Sequence, residues 1–244
     1  MTTTDTREPA TSDEPAGAPD DDADHHRREL FEALLLALAA LLTAWAAFQA
    51  TKWGGVQANS FSQAGAQRTE SVRASNLANR QTVIDVDSFT SWIDAIATEQ
   101  AAGVDIGFAD DGSYEPVAGT TSAFLYDRLR PEFRTAVDAW LETRPLTEAA
   151  SPPTPFELPE YRNAAQAEAE ALEVTAEELA ATARQANQRG DNYVMMTIVF
   201  AMAIVLLGVA GKMRGEQAHR LLTGLATVAV LAGLLVLLTY PIEV

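Results

Sequence analysis

Residues 193–240 read YVMMTIVFAMAIVLLGVAGKMRGEQAHRLLTGLATVAVLAGLLVLLTY. Two charge-free apolar runs, Tyr193 to Gly211 and Leu221 to Tyr240, flank a short segment that carries Lys212, Arg214 and Arg220. A helix rises 1.5 Å per residue, so about 20 apolar residues cross the ~30 Å hydrocarbon core of a bilayer. A charged side chain at the centre of such a helix costs about 2.5–3.5 kcal/mol, and neither run contains one. Both are expected to be transmembrane helices, and this pair sets the fold class.

Working toward the N-terminus, a third apolar run appears at Leu30 to Ala50, LFEALLLALAALLTAWAAFQA. Glu32 lies in its first turn and can sit at the interface; Arg28 is four residues before it, so the two can pair on one helix face. Ala44-Trp45-Ala46 fits a signal-peptidase pattern, with Arg27 and Arg28 ahead of the apolar stretch. The leader is long and acidic, however, and the apolar run continues to Ala50. A retained span is expected, with cleavage after Ala46 as the alternative. Trp53-Gly54-Gly55 marks the exit from this span, where the glycines permit a bend.

The whole chain has 244 residues with 34 acids against 17 Lys and Arg, a net charge of −17, three His and no Cys. Disulfides, thiolate metal sites and a Cys nucleophile are excluded. The acidic balance argues against a nucleic-acid partner. The first 28 residues hold eight acids, three arginines and no aromatic residue, which predicts a disordered acidic tail.

Arg27 and Arg28 precede the first span, Lys212, Arg214 and Arg220 join the other two, and no Lys or Arg follows the third. By the positive-inside rule these five residues are the topology determinants. They predict a multi-pass protein of the cytoplasmic membrane, with the N-terminus and the 212–220 loop cytoplasmic. Residues 52–191 and the C-terminus then lie outside.

The expected organisation is all-α. A tail over 1–28 leads to a span over 29–51. A helical extracytoplasmic domain over 52–191 has a small cap over 82–160. Spans over 192–211 and 221–240 are joined by a basic loop over 212–220, and a short tail over 241–244 ends the chain. Residues 57–81 form a polar helix, rich in Gln and Asn, that needs a partner. Val86, Phe89, Ile93 and Ile96 recur at helical spacing. Residues 101–121 form a loop punctuated by glycine, and a short helix starts at Pro131 with Phe133, Val137, Trp140 and Leu141 on one face. Pro145 and the 152–159 prolines make a stiff link.

From Glu160 onward a seven-residue repeat appears at Ala165, Ala169, Leu172, Ala176, Leu179, Ala183, Ala186 and Gly190, ending at Tyr193. Its alternating spacing of four and three is that of a coiled-coil seam, here built from small residues. Pairing with the polar helix after the first span would give a long antiparallel hairpin; pairing between subunits is the alternative. Ala40 with Ala44 and Ala229 with Gly233 are small-residue pairs suited to helix packing in lipid.

Chemistry leaves few marks. His25, His26 and His219 lack partners at ligand spacing and read as solvated. Asp105, Asp110, Asp111 and Glu115 lack the order of a calcium loop. No G-x-S-x-G or phosphate-binding loop occurs, and Asp85 and Asp87 point to different helix faces. Arg128, Arg130 and Arg134 are expected to pair with nearby Asp127, Glu132 and Asp138. No cofactor, metal, small-molecule substrate or enzymatic activity is expected. The partners expected are the lipid bilayer and a second copy or another membrane protein. The functional expectation is a membrane-anchored interaction or scaffolding protein. The rival is a small oligomeric channel or transport accessory with Thr43 and Gln49 facing the pore.

One span leads into ATKWGGVQANSFSQAGAQRTESVRASNLANRQ, and a later helix re-enters the membrane through ANQRGDNYVMMTIVFAMAIVLLGVAG. This order resembles a family of uncharacterised bacterial three-span membrane proteins, a domain of unknown function with a helical hairpin between spans one and two. The likeness runs over residues 29–240 and rests on composition and order. It implies the architecture and brings no activity or catalytic residue. The link over 145–159 and the loop over 101–123 depart from the family's simpler hairpin.

Overall fold

The computed structural model describes residues 19–109 and 113–243, with side chains from His26 onward. Five helices follow in order: α1 (Pro19–Ala101), α2 (Thr121–Tyr126), α3 (Pro131–Glu142), α4 (Ala164–Ala210) and α5 (Glu216–Leu237), with a 3-10 turn at Pro155–Glu157 before α4. Among the described residues the only β-type pairing is a bridge between Phe108 and Tyr114. The all-α expectation holds. Three of the helices, α1, α4 and α5, are long and apolar enough to cross a membrane.

Several boundaries differ from the sequence reading. Residues 1–18 of the expected disordered tail lie outside the described residues, whereas 19–28 belong to α1. Pro19 and the three aspartates that follow are favoured in a first helical turn, where acids complement the helix dipole. The permitted bend at Gly54-Gly55 is not used, since α1 runs through both glycines. The basic loop is also shorter than 212–220, because α5 already begins at Glu216. Helix α2 begins where the expected 101–121 loop ends, in a stretch for which the sequence predicts no element; six residues are too few to show a period.

The chain divides into two compact units. One comprises the residues up to Gln57 and from Arg184 onward, and the other is Ala58–Ala183. In the first unit, Glu32 meets Thr223 and Gln49 meets Glu243, so α1 and α5 run parallel. His219 meets Ala210, the Gly233 position meets Phe200, and Tyr193 meets Tyr240, so α4 and α5 run antiparallel. Leu35, Ala39, Leu42 and Ala46 of α1 face Phe200, Ala203 and Leu207 of α4 and Ala226 and Val230 of α5 in one buried cluster. The outward faces are apolar as well: Leu34 is 70% exposed, Met202 60% and Leu235 68%. A water-soluble bundle rarely exposes so continuous an apolar surface on every helix.

In the second unit, α1 pairs with α4 in antiparallel register. Ser71 Oγ donates to Ala169 O at 2.9 Å, Arg68 meets Glu177 at 3.4 Å, and Asn163 Nδ2 donates to Ala78 O at 3.1 Å. Asn163 also caps α4, its Oδ1 accepting from the Ala165 and Gln166 N–H groups. One side chain thereby starts the helix and pins it to its partner. Beyond the start of α4, α1 runs on to Ala101 and stops in a Schellman motif. Gly103 takes φ +73°, and Val104 N donates to Glu99 O while Gly103 N donates to Gln100 O.

Most of the apolar core of this unit lies in its cap. Trp92, Tyr126, Phe133, Val137, Trp140 and Leu141 are buried together, with Phe89, Tyr114, Phe156 and Tyr161 packed against them. Edge-to-face pairs such as Phe89–Trp140 at 5.4 Å and Trp92–Tyr114 at 5.6 Å recur through the cluster. Each such pair adds about 0.5–1.5 kcal/mol beyond area burial. An alanine on the seam removes one methyl from water, worth about 0.8 kcal/mol. Per residue, the aromatic cap therefore contributes more to the unit than the alanine seam does.

Candidate functional site

Of the seam residues, Ala165, Ala169, Ala176, Ala183 and Ala186 are buried, while Leu172, Leu179 and Gly190 are half-buried. Ala180, not Leu179, occupies the central position at 1% exposure. The helices approach closely enough that only a methyl fits between them, and the two leucines flank the contact. Gly190 lies against Ala50 and Trp53. Of the small-residue pairs in the spans, Gly233 packs on the Phe200 ring. Ala40 and Ala44 are exposed.

The topology determinants gather at one end of the first unit. Arg28 and Arg220 share the carboxylate of Glu216, Arg28 at 3.6 Å. Glu32 does not pair with Arg28. It accepts from Thr223 Oγ1 at 2.9 Å and faces His219 Nε2 at 2.8 Å. His219 is thus not solvated. Its Nδ1 lies 2.9 Å from Ala210 O, which only accepts, so Nδ1 carries a proton. This polar knot ties together α1, α5 and the C-terminal end of α4. The residues lay 187 positions apart, which left no local signal. Lys212 and Arg214 are exposed beside it.

The opposite end of the same unit carries aromatic residues. Gln49 is fully buried, and its amide exchanges two hydrogen bonds with the Glu243 backbone, at 3.0 and 2.9 Å. Trp53 Nε1 and the Tyr193 hydroxyl both donate to Pro241 O, and Arg189 stacks 4.5 Å over the Trp53 ring. The tail that read as a short appendage is clamped to two helices. Thr43 returns its hydroxyl to Ala39 O. The two residues considered for a pore lining are both bonded within the chain.

In the cap, Asp85 is fully buried. It receives Arg130 Nε at 3.2 Å and Nη2 at 2.7 Å, and the Tyr161 hydroxyl at 3.2 Å. Arg130 also meets Glu132, as expected from sequence. The hydrogen bonds it donates to Asp85 hold the Arg130 guanidinium pKa above its usual value. Arg134 pairs with Asp127. Arg128 stacks on Phe124 at 3.4 Å and donates to Phe124 O. Asp138 accepts from the Tyr126 hydroxyl. Burial first, and then Asp138, push the Tyr126 phenol up to about 12. The phenol therefore stays protonated as a donor and offers no nucleophile at neutral pH. It opens on a hollow of about 430 Å³ shared with Ser113, Tyr114 and Arg144.

On the outside of the second unit, Phe61 is 45% exposed, Val72 59% and Val83 59%. Eleven residues make three helical turns plus about 20°, so these three form one line along α1, about 16.5 Å apart, with Arg68, Ser75 and Asn79 between them. It lies on a different face of α1 from the buried seam positions Ala64, Ser71, Ala74 and Ala78. Val86, expected on the cap-facing stripe with Ile96, is 42% exposed instead.

The chain matches no family model, no curated protein and no solved structure.

Proposed function

We propose that this chain is a three-span integral protein of the cytoplasmic membrane that carries a helical interaction or scaffolding module and self-associates through it. The N-terminus and the basic turn around Lys212 and Arg214 are cytoplasmic, and the module is extracytoplasmic, as the distribution of basic residues favours. The family resemblance supports the same arrangement.

The observation that carries the interaction reading is the Phe61, Val72 and Val83 line. It leaves apolar side chains in water on the face of α1 that α4 does not cover. Exposed apolar side chains repeated along one helix face offer anchors for association, and a second copy brings the same three to a two-fold contact. The test is cross-linking of V72C in native membranes, with E168C on α4 as the comparison. A homodimeric product at position 72 and none at 168 is expected. A monomer alone, or a product with a different protein only, overturns self-association through this face. Orientation is read separately by labelling E148C and M213C from outside intact cells, with label expected at 148 alone. The bonding of Thr43 and Gln49 within the chain favours anchoring over conduction. A specific flux from the reconstituted protein would sink the anchoring reading.

A further inference from the structure

A groove of about 470 Å³ opens between the N-terminal ends of α1 and α5. Arg27, Arg28 and Arg220 line it together with Phe31, Thr223 and the Glu32–His219 pair. Residues 26–32 and 211–220 hold five Lys and Arg against three acids. Glu32 is occupied by His219 and Thr223, and one Glu216 carboxylate serves both Arg28 and Arg220. The two arginine side chains remain 57% and 64% exposed. Each has five donors in a planar fork suited to phosphate.

Arg220 also heads a second depression. It continues along the outer face of α5 past Leu221, Gly224, Leu225 and Val228. Gly224 makes this furrow, because a Cβ there would meet nothing within 4 Å. A cationic cup thus runs into an apolar furrow through one shared arginine. A soluble phosphate would use only the cup. A phospholipid uses both, and basic pockets between spans at the cytoplasmic surface hold anionic head groups.

We propose that this groove binds one anionic phospholipid, with its phosphate between Arg28 and Arg220 and an acyl chain in the furrow over Gly224. The inference rests on the bilayer-spanning reading and is independent of self-association through the second unit.

The test is native mass spectrometry of the full chain in detergent, titrated with dioleoyl phosphatidylglycerol or dioleoyl phosphatidylcholine. The acyl chains are identical, so the difference reports the head group. One phosphatidylglycerol is expected to bind about tenfold tighter than phosphatidylcholine. R28Q/R220Q should abolish that preference. G224L, which fills open space and leaves the helix intact, should weaken binding of both lipids. Equal wild-type affinities, or a preference that survives R28Q/R220Q, overturn the head-group assignment. Unchanged binding by G224L overturns the acyl assignment. Displacement of the lipid by glycerol 3-phosphate overturns the lipid in favour of a soluble phosphate. If R28Q/R220Q fails to fold, the wild-type comparison and G224L still decide. Failure of the bilayer reading looks different: the chain would then remain in the high-speed supernatant without detergent.

Discussion

Asp85→Asn is the most informative single change in the second unit. The Asp85 side chain has no solvent exposure, while Arg130 retains 17%. The carboxylate accepts two bonds from the guanidinium and one from Tyr161. It thereby ties α1 to the residue before α3 and to the segment that enters α4. Breaking a buried pair by removing one partner costs about 3–5 kcal/mol, because the other charge stays behind in the interior. Glu132 and residual water around Arg130 place the loss near the lower limit, about 3 kcal/mol. For a unit of this size that corresponds to roughly 10 °C in Tm. The assay is thermal unfolding of the full chain in detergent, followed by near-ultraviolet circular dichroism from the buried Trp92 and Trp140. The second half of the argument is the double variant D85L/R130M. Replacing both charges by apolar groups removes the stranded cation, so it should lose less than D85N alone. A shift under 3 °C for D85N, or a double variant worse than either single, would refute the reasoning.

Three further outcomes follow. Gly107 takes φ +84°, and a Cβ there would lie 1.8 Å from Glu115 O. G107A should therefore open the 103–117 loop to limited proteolysis and lower stability by about 2 kcal/mol or more; an unchanged digestion pattern would contradict this. Q49A removes both hydrogen bonds to the Glu243 backbone, at about 1–3 kcal/mol for groups left unsatisfied, so amide exchange at 242–243 should rise sharply. The Glu99 pKa is lowered, chiefly by the hydrogen bond from Ser122, with Thr121 and Ser122 N–H groups adding to it. Its contribution is complete above the ordinary value of 4.5 and lost as pH falls through the lowered one. Protection factors in α2, taken relative to the intrinsic exchange rate at each pH, should fall on acidification below about 4.5, and E99Q should remove that pH dependence. An E99Q profile identical to wild type would exclude Glu99 as its source.

The spans, the seam and the aromatic face of α3 were legible because each repeats within one helix. Periodicity reports which face of a helix is buried, and Ala165, Ala169, Phe133 and Trp140 all follow it. Asp85, Glu32, Gln49 and His219 could not be read this way. Their partners lie far off in sequence, and a lone polar residue on an apolar face carries no mark of what it meets. Arg28 illustrates the error that results. The near carboxylate, Glu32, was the obvious partner, but Thr223 and His219 hold it, and Arg28 turns to Glu216 on α5. Helix α2 failed for a different reason. It is held by a cap from Thr120 and by the Glu99 carboxylate on its first N–H groups, not by its own pattern.

The claim beneath the whole account is that α1, α4 and α5 cross a bilayer with their exposed apolar faces in lipid. Spin labels at L34C, M202C and L235C, in protein reconstituted into liposomes, test it through collisions with oxygen and with a water-soluble nickel chelate. All three should be accessible to oxygen and protected from nickel, while a label at E148C shows the reverse. Nickel access at all three sites equal to that at position 148 would contradict the claim.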